Sequence, residues 1–216
     1  MTAMTTIDFP GRLAAVLYCQ GCSWRCDYCH NPELLDGNVP PSISWDKAME
    51  FLLSRKGLLD GVVFSGGEPL VQKAIYEAIS EVKDKVGMEV GLHTSGAIPE
   101  RFKAILPLLD WVGLDIKAMP DRYDEISHAH HSGEKAFECL DLLLNSNVEY
   151  ECRTTWNTSL YPVEELIELA NLLKSKGVKN WALQECRTPE APIWSLTSDE
   201  VKLISNGFDQ FTLRRP

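Results

Sequence analysis

The chain is short of positive charge. Its 216 residues carry 21 Lys and Arg against 31 Asp and Glu, a formal net charge of −10. An acidic chain gains nothing by neutralising phosphates, which argues against a nucleic-acid partner. Long apolar runs are missing too. Nothing approaches the roughly 20 residues that cross a bilayer, so no membrane attachment is expected. Met1-Thr2-Ala3-Met4-Thr5 has neither the basic start nor the apolar stretch of a signal peptide. The cytoplasm is the expected compartment. Internal repeats, low-complexity tracts and Gly/Ser linkers are absent, and residues 1–216 read as a single domain.

Cysteine, by contrast, is concentrated. Of the seven, Cys19, Cys22, Cys26 and Cys29 fall in one short stretch. Clustered cysteines in a reducing compartment point to metal or redox chemistry rather than disulfides. Cys139 lies in a predicted helix and Cys152 and Cys186 in predicted strands, where they read as core. There is no second cluster, so no auxiliary metal-cluster domain is expected.

Apolar runs predict strands at Leu13–Cys19, Gly61–Ser65, Glu89–Thr94, Trp111–Ile116, Glu149–Thr155 and Trp181–Cys186, with a short terminal strand at Gln210–Arg214. Helical spacing occupies Trp45–Lys56, with Ser44 as N-cap, then Ala74–Val86, Ile98–Leu109, Glu134–Ser146, Val163–Lys176 and Ser198–Asn206. Alternating strands and helices mean an α/β fold around a parallel sheet. Six βα units are too few for a closed eight-stranded barrel, so an open, partial (β/α)6 barrel is expected. Such folds place their sites at the C-terminal ends of the strands.

The segment after the first strand reads Cys19-Gln-Gly-Cys22-Ser-Trp-Arg-Cys26-Asp-Tyr-Cys29-His-Asn-Pro32. Within it, Cys22, Cys26 and Cys29 form C-x3-C-x2-C. Three thiolates can hold three irons of a cubane and leave the fourth open to a small molecule. A four-cysteine zinc site using Cys19 is the first rival. Its two pairs would be separated by only three residues, where zinc sites usually need a dozen or more. A thioredoxin-like redox pair is the second, and the extra cysteines and missing helix start argue against it. Cys19 reads either as a buried strand-end thiol or as a residue supporting the site.

The C-x3-C-x2-C loop, with Tyr28 before its last cysteine, resembles the signature of radical S-adenosylmethionine (SAM) enzymes. Thr6-Ile-Asp-Phe-Pro-Gly11, Gln20-Gly-Cys22 and Cys29-His-Asn-Pro32 resemble the glycyl-radical-enzyme activases, especially those of anaerobic ribonucleoside-triphosphate reductase. The resemblance implies a [4Fe–4S] cluster on Cys22, Cys26 and Cys29. It implies reductive cleavage of SAM to methionine and a 5′-deoxyadenosyl radical, with an electron from a donor such as flavodoxin or ferredoxin. The implied partner is a protein carrying a glycyl radical site. A small molecule or another peptide is the alternative substrate, and a non-catalytic zinc-binding scaffold the alternative from another class.

The same resemblance assigns the cofactor contacts. Gly66, Gly67 and Glu68 of Ser65-Gly-Gly-Glu-Pro69 would receive the methionyl amino group, and two glycines allow close backbone approach. Thr94 and Ser95, after His93, match a Thr-Asn-Gly turn. Some activases carry a cation-binding acid where His93 stands, and this sequence departs from that. Asp115 and Lys117 would meet the carboxylate and ribose region, Arg153 the carboxylate, and Tyr28 the adenine. Trp24 would pack the loop, and His30, Asn31 and Pro32 would shape its end. Gln184 and Glu185 are candidates for the adenine or substrate end. His128, His130 and His131 look like a metal cluster but read as a solvated loop that could face the partner.

Overall fold

The computed structural model describes residues 1–186 and 196–215. Eight strands form one sheet in sequence order: β1 (Thr2–Thr5), β2 (Ala14–Cys19), β3 (Gly61–Gly66), β4 (Glu89–Thr94), β5 (Trp111–Asp115), β6 (Glu149–Trp156), β7 (Asn180–Glu185) and β8 (Gln210–Arg214). Neighbours from β2 to β8 are parallel. β1 joins antiparallel to β2. The order is linear, so the barrel stays open between β1 and β8.

The helices are α1 (Trp45–Ser54), α2 (Ile75–Glu81), α3 (Pro99–Ile105), α4 (Tyr123–Ser127), α5 (Ser132–Leu144), α6 (Val163–Lys176) and α7 (Ser198–Ser205). Ser44 caps α1 as expected, accepting from the Lys47 N–H at 3.4 Å. A capping box of Thr197 and Glu200 opens α7. The six βα units of the sequence are present. β1 and α4 are additions to them, and the expected helix over Ala74–Val86 ends in a π turn at Val82–Val86.

Strands buried on both faces read as nearly continuous apolar runs, which is why β3 is Gly-Val-Val-Phe-Ser-Gly. Val62, Phe64, Val90, Leu92, Val112 and Leu114 belong to the main core with the helices. The alternate face forms a second cluster of Ala14, Val16, Val63 and Trp111 around Phe9, from the β1–β2 turn. Glycines make room for that ring. A Cβ on Gly61 would lie 2.9 Å from Phe9, and one on Gly91 3.3 Å from it. Phe9 thus fills the bore, and chemistry is confined to the opposite, C-terminal end.

Candidate active site

The cysteine loop is held by its backbone before any ligand is considered. Gly21 N–H donates to Leu34 O at 2.8 Å and Cys22 N–H to Leu35 O at 3.2 Å. Gln20 donates its amide to Glu33 O (2.9 Å) and Asp36 O (2.8 Å), while Gln72 donates to Gln20 O at 2.6 Å. Further along, Arg25 N–H reaches Ser127 O of α4 at 2.8 Å. Cys29 N–H closes a turn onto Cys26 O at 3.1 Å. Cys22, Cys26 and Cys29 line one cavity of about 210 Å³. Burial pushes the Cys22 thiol up to about 11 and raises Cys26, where Lys117 opposes the shift.

Gly66 and Gly67 line the same cavity, and the loop itself crowds them. Gly66 has φ +108°, and a Cβ there would lie 2.6 Å from Cys19 N. A Cβ on Gly67 would strike Gly21 O and sit 2.8 Å from Leu34 O. Gly67 N–H donates to Cys19 O at 3.0 Å and Glu68 N–H to Gly21 O at 2.9 Å. The glycines therefore dock the cysteine loop onto the end of β3.

Glu68 is fully buried and points behind the cavity. Its Oε1 accepts from Thr94 Oγ1 at 2.6 Å and Leu70 N–H at 3.0 Å. Its Oε2 accepts from Ser95 N–H at 2.8 Å and from the Ser95 hydroxyl. Burial raises its pKa, opposed by the bonds from Ser95, Thr94 and Leu70. Thr94 and Ser95 both line the cavity.

Asp115, Lys117 and Arg153 form the far wall. Arg153 Nε and Nη2 lie 3.1 and 3.0 Å from Asp115 Oδ1, and Lys117 Nζ lies 3.4 Å from Oδ2. Burial opposes ionisation of Asp115, but Arg153 and Lys117 hold its pKa below the ordinary value. Burial likewise opposes the Lys117 ammonium, but Tyr28, Asp115 and Cys26 outweigh it and hold it charged. The main chain here is pinned from three sides. Tyr123 of α4 accepts from Lys117 N–H at 2.8 Å, Tyr161 donates to Lys117 O at 2.9 Å, and Thr154 donates to Ile116 O at 2.6 Å.

His93 forms part of the floor. Its Nε2 lies 2.8 Å from Asp8 O and its Nδ1 3.3 Å from Ser65 Oγ. A carbonyl only accepts, so Nε2 carries the proton and Nδ1 accepts from Ser65. Burial, then Arg153, depress the imidazole to about 3. It is neutral at ordinary pH.

The sequence profile of the Radical SAM superfamily matches residues 16–175, which span the cysteine loop, the glycine pair, Glu68, His93, Asp115, Lys117 and Arg153. The chain belongs to that superfamily. Radical SAM enzymes use a [4Fe–4S] cluster and S-adenosylmethionine. A protein of Methanocaldococcus jannaschii named as a glycyl-radical enzyme activating enzyme is 32% identical over 87% of this chain and 79% of its own length. The pyruvate formate-lyase-activating enzyme of Clostridium pasteurianum is 31% identical over 80% and 74%. Among solved structures, Streptococcus suis SuiB bound to S-adenosylmethionine superposes with a TM-score of 0.69 at 13% identity, over 96% of this chain and 51% of SuiB. AnSMEcpe with bound AdoMet gives 0.68 at 16%, over 93% and 63%. This chain thus spans about half to two thirds of those longer radical SAM proteins, which share its fold.

The residues present fit the radical SAM cofactors. Three thiols on one short loop face one cavity, the donor set that suits an iron–sulfur cluster. Tyr28 lines the same cavity and is only partly buried, which leaves an aromatic surface for a flat ligand group.

Eleven of the twelve residues expected at the site line this cavity. Glu68 stands behind it. Gln184 is exposed and outside the cavity lining. Glu185 is buried, accepting from Leu196 N–H at 3.2 Å and lying 3.3 Å from Arg215 Nε. Cys19 is pushed up to about 12, by burial and then Glu68, and does not line the cavity. His128, His130 and His131 are solvated, each beside a different carboxylate (Asp27, Asp124 and Glu134), and do not converge on one metal site. Thr155 and Leu35 line the cavity unforeseen. Thr155 was within reach, since it shares a strand face with Arg153 two residues away.

Proposed function

We propose that this chain is an activase that creates a glycyl radical on a partner protein. Cys22, Cys26 and Cys29 hold the cluster, leaving one iron for SAM. The observation that carries the reading is convergence: motifs from β2, β3, β4, β5 and β6 meet at one cavity at the strand ends. Similarity over most of the chain to two proteins named as activases supports the substrate class. An open barrel side, between β1 and β8, is consistent with entry of a peptide loop.

When bound, the cluster would supply one electron for reductive cleavage of the carbon–sulfur bond of SAM, the chemistry needed to remove a hydrogen atom from a glycine Cα of the partner. The chain's own residues bind and orient. Arg153, aligned by Asp115, and Lys117 receive the methionyl carboxylate. Gly66 and Gly67 offer close backbone approach to the amino group, while Tyr28 meets the adenine. Glu68 acts through Thr94 and Ser95 as a positioning residue. A floor of neutral His93 above Phe9 shuts the bore to water from below.

The test is anaerobic reconstitution with iron and sulfide, then reduction with SAM present. Release of 5′-deoxyadenosine is expected, and none from Cys26→Ala. A full four-iron cluster that releases none would sink the catalytic reading. Electron paramagnetic resonance of candidate partners then decides the substrate. Small molecules modified while no glycyl radical appears would overturn the activase assignment.

A further inference from the structure

A buried cation lies directly against the cysteine loop. Lys117 is 7% exposed, and its ammonium lies 5.5 Å from the centre of the Tyr28 ring and 6.0 Å from that of Trp24. Both rings belong to the cysteine loop, two residues on either side of Cys26. Asp115, 3.4 Å away, cannot neutralise Lys117 alone, because the same carboxylate also pairs with Arg153. His93 adds no charge. Glu68, the other buried carboxylate below the loop, is engaged by Thr94, Leu70 and Ser95, whereas Lys117 stands against the loop's own rings.

We propose that Lys117 is a redox-poising residue: a fixed, buried cation that favours the reduced form of the cluster held by Cys22, Cys26 and Cys29. Three thiolates around a doubly positive core make an anion, and reduction adds another negative charge. A fixed cation stabilises the more negative state more, and does so strongly where water is excluded. Asp115 works in the opposite direction. Its pairing with both cations sets how much of their charge the loop feels. This role is separate from any contact with the cofactor's carboxylate, because it operates before SAM binds. It rests on the cluster assignment above.

The experiment is a redox titration, followed by electron paramagnetic resonance, of reconstituted protein without SAM. Iron and sulfide content are measured first. A wild-type protein that takes up no four-iron cluster overturns the cluster assignment itself, and so is distinguishable from failure of the poising role. At the wild-type midpoint, Lys117→Met is expected to lower the reduced-to-oxidised ratio at least tenfold, a 59 mV shift for a one-electron couple. Lys117→Arg keeps the charge and should stay within about threefold of wild type. Asp115→Asn should raise the ratio. A merely structural role would not give shifts of opposite sign from neighbouring positions. A fully loaded Lys117→Met that titrates like wild type, or an Asp115→Asn that shifts downward, overturns the proposal. Should Lys117→Met fail to load, the direction of the Asp115→Asn shift decides.

Discussion

A carboxylate with no exposed surface and four donors around it has no lone pair to spare. That is the situation of Glu68, whose oxygens take Thr94, Leu70 and both donors of Ser95. Its value lies in tying the end of β3 to the end of β4. Glu68→Gln would place an amide against donors it cannot accept from, leaving at least one buried group unsatisfied at about 1–3 kcal/mol. Thermal unfolding of the variant is expected several degrees lower, at roughly 2–4 °C per kcal/mol for a chain of this size. An unchanged midpoint would mean the carboxylate is free after all. Sequence reasoning found Glu68 but not this role, since its partners lie 26 and 27 residues away. Gly66 and Gly67 were legible as a place of close approach. That the cysteine loop itself is one of the things approaching was not, because the contact exists only in three dimensions.

Elements divide along the same line. The parallel strands β2 to β7 were readable because sheets covered on both faces demand apolar runs. β1 was not: Thr-Ala-Met-Thr is short, largely exposed and makes sense only once β2 lies beside it. α4 has five residues, below what periodicity can detect, yet its Tyr123 holds the main chain between Asp115 and Lys117. The β1–β2 turn carries the clearest consequence. Phe9 is 1% exposed and lies against Gly61 and Gly91, which can offer no side chain to replace it. Phe9→Ala is expected to cost about 3–5 kcal/mol, the range for truncating a buried aromatic whose cavity cannot collapse. Urea unfolding measures this directly. A loss below about 1 kcal/mol would show that the bore closes by other means.

At the scale of the whole molecule, the buried neutral imidazole makes stability depend on acid. His93 takes its proton near 6.5 when unfolded but only near 3 in the fold. Between those values unfolding consumes a proton. The stability His93 contributes is complete above the upper value and drains away as pH falls toward the lower one. The slope for one proton approaches about 1.4 kcal/mol per pH unit. His93→Asn should flatten it, as measured by urea unfolding from about pH 7 to about pH 5. Identical slopes in variant and wild type would exclude His93 as the source.

The anchored loop has a last implication, for repair. Exposed iron–sulfur centres are lost to oxygen, and in proteins whose metal organises the surrounding chain each loss is also a loss of structure. Here the receptacle is tied down by Gln20, Gln72 and the main chain of Gly67 and Glu68, none of which touches iron. A stripped molecule is therefore expected to keep its socket, and to be refilled without being refolded.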